Sequence, residues 1–213
     1  MVNLSCVTSI GRGAVSPEET LTARTLPPLG PGPLVLVVGA SGVGKDALIA
    51  GARAALAHDP RFAFPERAVT RPPNVSESHA SLSDAEFTRA FEEGRFALTW
   101  AAHELRYGVP ASIDGLIAEG RAVVVNASRT IGDMARRRYA RVCFVLIECS
   151  LDIRTARLAG RGRESADRAE ARLTRTVAAF DPSEAAIRID NSGPLADSVL
   201  ALTEFLRSLA AKA

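Results

Sequence analysis

Short apolar runs alternate with longer amphipathic stretches over most of this chain. The runs PLVLVV from Pro33, RAVVVNAS from Arg121 and RVCFVLIEC from Arg141 have the length of buried strands and are rich in valine. A helical pattern follows each of them: KDALIAGARAALAH, TIGDMARRRYA and SLDIRTARLAG. Continuous apolar strands separated by helices indicate a parallel sheet that is covered on both faces. The pattern therefore predicts an α/β fold with a three-layer core.

Residues 67–110 break this alternation. The segment RAVTRPP resembles the end of a strand, and SDAEFTRAFEEG is a helical stretch whose Ser83 and Glu86 have capping-box spacing. The segment RFALTWAAHELRYGVP alternates in the way a hairpin does. We expect a small inserted lobe here.

The sequence pattern predicts one domain that follows an N-terminal extension. Residues 1–32 have few periodic apolar positions and finish in LPPLGPGP, which favours a flexible leader. A chain of 213 residues suits one core, and we place the domain at residues 33–211. Its last part reads as a charged helical stretch, RGRESADRAEARLTRTVAAF, a strand, AIRID, and a closing amphipathic helix.

The composition of the chain limits the kinds of binding partner that we expect. The chain has 26 basic and 24 acidic residues, a formal charge of +2, which gives no reason to expect a nucleic-acid or membrane partner. No apolar run reaches the roughly 18 residues of a membrane span. Cys6, Cys143 and Cys149 have no metal-ligand spacing. We expect a cytoplasmic protein that acts on a small molecule, and a homodimer is left open.

The segment VVGASGVGKDAL lies between a predicted strand and a predicted helix. Glycines in this context let successive backbone N–H groups point inward, and a helix N-terminus adds positive potential for a bound phosphate. Lys45 is one of only two lysines in the chain, and its slim ammonium fits among phosphates. The expected nucleotide-binding residues are Gly39, Ala40, Ser41, Gly42, Val43, Gly44, Lys45 and Asp46.

Asp46 is unusual, because this loop normally continues with a serine or threonine whose hydroxyl binds magnesium. A carboxylate there would repel a triphosphate unless a cation lies between them, and it would then be a hard oxygen ligand. A carboxylate is also favoured in the first turn of a helix by the helix dipole. We favour Asp46 as a Mg²⁺ ligand, with the helix-start role as the alternative.

The order of these parts resembles the guanylate kinase group of nucleoside monophosphate kinases over about residues 33–208. The shared features are the phosphate loop, VTRPP, the W and YG of the hairpin, and RLAGRGRES. The resemblance implies a P-loop NTPase fold with a small acceptor-binding lobe at about 67–110 and an arginine lid at about 157–167.

The lid segment contains Arg157, Arg161 and Arg163 beside two glycines. Arginines in a closing segment are suited to balance charge on a transferring phosphoryl group while water is excluded. We expect Lys45, Arg161 and Arg163 to be catalytic, and Arg172 to reach the phosphates on closure. A solvated, charged helix end is the alternative interpretation.

In the guanylate kinase pattern an arginine after the strand and a tyrosine before a glycine bind the acceptor phosphate. Arg71 and Tyr107 match these positions, and Arg106 replaces a second tyrosine. A hairpin with solvent-facing polar residues is the alternative.

Other acceptor positions depart from that pattern. The glutamate that reads guanine is replaced by Thr99, and Asn74 and His79 stand near the places of a phosphate-binding arginine and tyrosine. A site built for guanine would have kept a carboxylate. The phosphate machinery is therefore present without the group that reads the base.

This combination resembles the ribose 1,5-bisphosphate phosphokinases, which are guanylate-kinase-like enzymes. The matching segments are VVGASGVGKD, VTRPP, ALTWAAHELRYGVP, VVVNASR, LAGRGRES and IDNSGPL. The resemblance implies that aspartate is normal at position 46. It also implies transfer of the γ-phosphoryl group of ATP, with Mg²⁺, to the C1 phosphate of ribose 1,5-bisphosphate, giving 5-phospho-α-D-ribose 1-diphosphate.

The remaining polar candidates follow the strands. Asn126 and Ser128 are expected to hydrogen-bond ribose hydroxyls, and Arg129 either binds phosphate or caps a turn. For His79 and His103 an ordinary polar role is favoured over catalysis. Asn191 and Ser192 either approach the adenine or form a plain loop.

Two further functions stay open from the sequence. One is a guanylate kinase or another nucleoside monophosphate kinase whose base contacts come from other residues. The other is a non-catalytic guanylate-kinase-like module that binds a protein, against which Lys45, Asp46 and the lid arginines argue.

Overall fold

A five-stranded parallel sheet forms the centre of the computed structural model, which describes residues 27–71, 79–102, 104–159 and 181–210. The strands are β1 Leu34–Val38, β2 Phe62–Ala63, β3 Ala68–Val69, β4 Ala80–Ser81, β5 Phe96–Ala102, β6 Leu105–Pro110, β7 Ala122–Asn126, β8 Val142–Glu148 and β9 Ala185–Asp190. The helices are α1 Lys45–Ala55, α2 Asp84–Glu92, α3 Ile113–Ala118, α4 Gly132–Arg138, α5 Leu151–Ala159 and α6 Leu195–Ala210. Short 3-10 turns lie at Arg129–Ile131 and Pro182–Glu184.

The central sheet has the strand order β2-β7-β1-β8-β9, and every neighbouring pair is parallel. β1 lies in the middle, with all five of its residues buried between β7 and β8. The carboxyl ends of β1, β7 and β8 therefore meet at one edge of the sheet, where parallel α/β folds bind their ligands. Among the described elements, β2, β4 and α3 are not predicted by the apolar pattern.

Each face of the sheet carries its own apolar layer. On one side, alternate residues of β1, β7 and β8 pack against α1 and α6. Val35 of β1, Leu48 of α1 and Leu202 of α6 belong to this layer. On the opposite side, the other residues of these strands pack against α3 and α4. Leu36 of β1, Ile113 of α3 and Ala135 of α4 belong to this layer. The prediction of an α/β fold with a three-layer core is confirmed.

Residues 67–110 form a second sheet with strand order β4-β3-β6-β5. β5 and β6 are the predicted hairpin, and α2 begins with the predicted capping box of Ser83 and Glu86. Trp100 pairs with Tyr107 across the hairpin, and Leu98 pairs with Val109 on the same face. Because Leu98 and Val109 belong to the main core, this face of the lobe is turned toward the central domain.

The described end of the expected leader, residues 27–32, lies against the domain. Leu29 donates its backbone N–H to the Arg138 carbonyl at 2.8 Å, and Gly32 donates to the Ile117 carbonyl at 2.9 Å. The charged stretch at residues 161–180 lies outside the described residues. Among the described helices, none has the length and apolar character that crossing a membrane requires.

Candidate active site at the carboxyl edge of the parallel sheet

The loop between β1 and α1 depends on its glycines. Gly39, Gly42 and Gly44 have φ values of 152°, 88° and 95°, a region that residues with a side chain rarely adopt. A Cβ added at Gly39 would lie 2.4 Å from the Ile147 carbonyl oxygen, and one at Gly44 would lie 2.4 Å from Asn191 Nδ2. Both the backbone conformation and the close neighbours therefore require glycine at these two positions.

Lys45 is the first residue of α1, and its ammonium lies inside this loop. Nζ donates to the carbonyl oxygens of Gly39 and Ala40 at 2.8 and 2.9 Å. The N-cap residue is Gly44, so no side chain caps the first turn of α1. The N–H groups of the helix N-terminus, the helix dipole and one ammonium thus converge on a cradle that fits the phosphates of a nucleotide.

Asp46 lies in the first turn of α1 and faces β7. Its Oδ1 accepts a hydrogen bond from Asn126 Nδ2 at 2.6 Å, and Arg67 Nη2 lies 3.7 Å from the same oxygen. Arg67 Nη1 also donates to the Asn126 carbonyl at 3.2 Å. These contacts join the phosphate loop, the end of β7 and the start of the inserted lobe.

Asn126 is suited to more than holding Asp46. Its side chain is 9% exposed, and its Oδ1 is buried without a hydrogen-bond partner among the described residues. A buried amide oxygen without a partner is costly, so an acceptor of this kind invites a hydroxyl or a bound water. Asp46 and Asn126 together offer the oxygen environment that a hydrated Mg²⁺ ion uses beside nucleotide phosphates.

The described residues contain no group of three or more His, Cys, Asp or Glu side chains that could bind a metal ion by themselves. A Mg²⁺ ion that binds together with a nucleotide does not need such a group, because phosphate oxygens and water supply most of its ligands. That is the usual arrangement at a nucleotide site, where magnesium keeps several waters and few protein ligands.

The inserted lobe contributes a stack of three side chains. The rings of Trp100 and Tyr107 are parallel within 4°, with centroids 5.1 Å apart. The guanidinium carbon of Arg67 lies 5.4 Å from the Tyr107 centroid. This stack places Tyr107 next to the residue that contacts Asp46, and Arg71 follows two positions after β3, half-buried.

Arg106 lies elsewhere than expected. Its guanidinium lies on α2, where Nη1 bonds Thr88 Oγ1 at 3.0 Å and the guanidinium carbon is 4.6 Å from the Phe87 ring. Adjacent strand residues point to opposite faces, so Arg106 and Tyr107 cannot both face the phosphate loop. The structure brings Tyr107 toward the site and uses Arg106 to attach α2 to the hairpin.

Thr99 also points away from Tyr107. It pairs with Gly108, one step from the pairing of Trp100 with Tyr107, and therefore shares the α2 face with Arg106. On the face that is turned toward the site, the side chain next to Tyr107 is therefore Trp100 and not Thr99, which stands at the place of the guanine-reading glutamate.

Ser128 and Arg129 follow β7 at the same edge. Ser128 Oγ accepts the Thr130 N–H at 3.3 Å and so caps the 3-10 turn at Arg129–Ile131. Burial lowers the pKa of Arg129, Arg154 lowers it further, and Glu148 opposes both effects. Ser128 is therefore engaged in the turn, and Arg129 adds a half-buried cation near Arg154.

One face of α5 covers the phosphate loop. Arg157 Nη1 donates to the Val43 carbonyl at 3.4 Å, and a Cβ on Gly42 would lie 2.9 Å from Leu158 Cγ. The expected lid at residues 157–167 lies within the described residues only at 157–159. Arg161, Arg163 and Arg172 lie outside them, as do Asn74 and His103.

Asn191 supports the loop from the turn after β9. It is 1% exposed, and its Nδ2 donates to the Val43 carbonyl at 2.8 Å. Ser192 Oγ accepts the Ser150 N–H at 2.8 Å and donates to Asp190 at 2.6 Å. These contacts stabilise the loop and its turn, as the plain-loop interpretation expects, and the adenine contact stays a prediction. His79 directly precedes β4, at the far edge of the lobe sheet.

Arg67 is the site residue that the sequence pattern did not reveal. It lies two positions before the buried Val69, so period-two alternation puts both residues on the same face of β3. An arginine on a core-facing position, with a side chain only 14% exposed, signals a buried charge that needs a partner. This alternation could have pointed to Arg67, but in a strand of only two residues the period-two pattern is too short to recognise.

Comparison with known proteins agrees with this geometry. No family model matches the chain. The crystal structure of guanylate kinase from Anaplasma phagocytophilum matches with a TM-score of 0.60 at 14% identity, covering 84% of this chain and 87% of that one. This likeness shows the fold, which is the α/β fold of the guanylate-kinase-like P-loop class.

Relatives that are similar in sequence identify the family more specifically than the structural likeness does. Ribose 1,5-bisphosphate phosphokinase PhnN of Brucella melitensis is 44% identical over 182 residues, which are 85% of this chain and 95% of the relative. The protein of the same name from Acidiphilium cryptum is 51% identical over 148 residues, which are 69% and 78% of the two chains. This chain belongs to the ribose 1,5-bisphosphate phosphokinase family.

Proposed function

We propose that this protein phosphorylates ribose 1,5-bisphosphate with ATP to give ADP and 5-phospho-α-D-ribose 1-diphosphate. An oxygen of the C1 phosphate forms a bond to the γ-phosphorus, and the bond from that phosphorus to the β,γ-bridging oxygen breaks. The carrying observation is that Asp46, which follows Lys45 at the end of the phosphate loop, is connected through Asn126 and Arg67 to Tyr107 of the inserted lobe.

The donor is bound mainly by the backbone. The loop N–H groups and the Lys45 ammonium converge where the β- and γ-phosphates of ATP would lie. Lys45 then exchanges its two carbonyl acceptors for phosphate oxygens, which are stronger partners for an ammonium. Its role is to stabilise the charge that shifts toward ADP during transfer.

Asp46 and Asn126 are the proposed magnesium environment. Asp46 is the hard oxygen ligand, directly or through water, and Asn126 fixes its orientation through the 2.6 Å hydrogen bond. A bound Mg²⁺ ion would neutralise the phosphates and reduce the repulsion between Asp46 and ATP.

Arg71, Tyr107 and Asn126 are the proposed acceptor contacts. Arg71 presents a guanidinium at the end of β3, and Tyr107 presents a phenol on the site face of the hairpin. The buried Oδ1 of Asn126 is suited to accept a hydrogen bond from a ribose hydroxyl. Ser128 remains a weaker candidate, because its hydroxyl already caps the turn.

Arg161 and Arg163 are the proposed lid arginines. The support is that α5, the helix directly before them, already lies on the loop through Arg157 and Leu158. Both arginines follow within a few residues of the part of α5 that contacts the phosphate loop. Arginines at this place in the chain are suited to balance transition-state charge on the transferred phosphoryl group.

No general base is required. A phosphate monoester is largely ionised at neutral pH, so the attacking oxygen carries no proton that must be removed. Positioning and charge stabilisation are therefore sufficient, in agreement with a site built from cations, amides and one carboxylate.

The test is ADP formation from Mg-ATP with ribose 1,5-bisphosphate and with GMP in parallel, with 5-phosphoribosyl 1-diphosphate quantified in the first reaction. We expect turnover with the sugar bisphosphate only. Turnover with GMP alone would overturn the acceptor assignment. Loss of all turnover with intact ATP binding would favour the non-catalytic module.

The metal assignment has its own test. We expect Asp46→Asn to raise the Mg²⁺ concentration for half-maximal activity about tenfold, because one charged ligand is lost. Arg61→Gln, in an exposed pair with Asp59 at the amino edge of the sheet, serves as a control. An unchanged metal response in Asp46→Asn would remove Asp46 from the magnesium site.

A further inference from the structure

Arg67 is a partly buried cation whose contacts do not hold it firmly. Its side chain is 14% exposed, and its contacts are the Tyr107 ring at 5.4 Å, the Asn126 carbonyl at 3.2 Å and Asp46 Oδ1 at 3.7 Å. The contact with Asp46 is within ion-pair range and longer than a charge-assisted hydrogen bond. Because Asp46 is 29% exposed and the contact is longer than a hydrogen bond, this ion pair is weak and can be exchanged for a better partner.

Asp46 gives a reason for this arrangement. A serine or threonine at this position would need no counter-ion, but a carboxylate beside a phosphate loop does. Arg67 supplies that counter-ion in the described structure, from a part of the chain outside the loop. A metal cation bound with a nucleotide would take over the same carboxylate and repel the guanidinium.

Resting on the proposed function, we propose that Arg67 exchanges ligands: it pairs with Asp46 before the donor binds, and it then binds a phosphate of the sugar bisphosphate. The Tyr107 ring and the Asn126 carbonyl keep the guanidinium at the boundary between the two subsites during this exchange. Arg67 is thus an acceptor-binding residue that makes acceptor binding stronger once the metal and nucleotide are bound.

The chemistry of the acceptor agrees with this role. A sugar with a phosphate at each end needs cationic contacts at both, whereas a nucleoside monophosphate needs them at one end only. The structure uses Arg106 to hold α2, so the additional cation on the site face is Arg67. Its planar fork suits bidentate binding of a phosphate.

The experiment is calorimetric titration of ribose 1,5-bisphosphate into the protein alone, and into the protein saturated with Mg²⁺ and a non-hydrolysable ATP analogue. We expect wild type to bind the acceptor about tenfold more tightly when the donor analogue is present. Arg67→Gln is expected to lose about tenfold or more of the affinity in the ternary complex and to reduce the coupling to within about twofold. Arg67→Lys restores the charge without the fork and should recover part of both.

Asp46→Asn gives the readout that a purely structural role for Arg67 would not produce. It retains an oxygen for Asn126 while removing the charge that holds Arg67, so acceptor affinity without the donor should rise several-fold. Arg61→Gln should leave both acceptor affinity and coupling unchanged.

The proposal is overturned if Arg67→Gln keeps wild-type affinity and coupling, or if Asp46→Asn does not raise acceptor affinity in the absence of donor. Melting temperatures confirm that each variant is folded, and Arg67→Lys carries the test if Arg67→Gln does not fold. Wild type that forms 5-phosphoribosyl 1-diphosphate without coupled binding would refute this inference alone. Wild type that neither binds nor phosphorylates the sugar bisphosphate would refute the proposed function as well.

Discussion

The proposed donor and acceptor sides of this site are built from different parts of the polypeptide. The phosphate loop is formed mainly by backbone: three glycines with positive φ, a helix N-terminus and one lysine, between the buried strand β1 and helix α1. The acceptor side consists of side chains, with Arg67, Trp100 and Tyr107 stacked on strands that include the two-residue β3. A backbone site binds any triphosphate, whereas a side-chain site sets its specificity through a few replaceable residues.

The strongest way to break the donor side is Lys45→Ala. It removes the ammonium from the loop, and we expect kcat to fall by about two to three orders of magnitude, the typical loss for one charge-stabilising group. The melting temperature should change little, because the two hydrogen bonds to loop carbonyls are only partly buried. A kcat within threefold of wild type would mean that the loop is not the donor site.

The next effect tests the claim that the donor site is a backbone site. Gly44→Ala places a methyl group 2.4 Å from Asn191 Nδ2 at a φ of 95°, and we expect a loss of about 2–3 kcal/mol in the free energy of unfolding. ATP affinity should fall in parallel. Chemical denaturation and nucleotide titration measure the two effects.

Gly94→Ala is the matched control for that substitution. Gly94 also has positive φ, 68°, but an added Cβ would meet nothing within 4 Å. Its cost should be the backbone term alone, about 1 kcal/mol, with no effect on ATP binding. Equal losses in the two variants would mean that the Asn191 contact does not shape the loop.

On the acceptor side Tyr107→Phe gives a smaller and more selective effect. Removing the phenol oxygen should raise the KM for the sugar bisphosphate about tenfold, the value of one hydrogen bond to a charged group. The KM for ATP and kcat should stay near wild type, because the ring and its stack with Trp100 are retained. Steady-state kinetics with each substrate varied in turn would show the difference, and an equal rise in both KM values would contradict it.

The smallest effect concerns the scaffold of the acceptor lobe. Ser83 N and Oγ both donate to Glu86 at 2.7 Å, and these bonds lower the pKa of Glu86 from its ordinary 4.5. A lowered folded-state pKa stabilises the fold above the unfolded pKa, and this stabilisation is lost as pH falls through the folded value. Glu86→Gln should therefore slightly lower the melting temperature at pH values above the ordinary pKa of a glutamate, and the difference from wild type should disappear as pH falls through the lowered pKa of Glu86.

Ser83→Ala tests the same capping box from its other member. The variant should lose about 1 kcal/mol at neutral pH, as other serine N-caps do. ATP affinity should be unaffected in both variants, since the box lies in the acceptor lobe. A pH-independent difference for Glu86→Gln would show that the carboxylate is not the stabilising partner.

The fold and the donor loop were largely predictable, and the acceptor side was predictable only in part. The apolar runs that became β1, β7 and β8, and the spacing of Gly39, Gly44 and Lys45, are local patterns with local consequences. Tyr107 was predicted to be an acceptor contact from its resemblance to the guanylate kinase pattern, in which a tyrosine precedes a glycine. Arg106 was expected beside it, but alternation along β6 turns the two side chains to opposite faces.

The sequence alone determined that a strand, a glycine loop and a helix form a phosphate site, because all its parts are neighbours in the chain and their geometry is set by backbone conformation. Only the tertiary structure decided the partners of Asp46. Asn126 lies 80 residues away, and it reaches Asp46 because β7 pairs directly with β1 in the sheet. Strand order brings such distant side chains together, and side-chain charges then select contacts that local spacing does not encode.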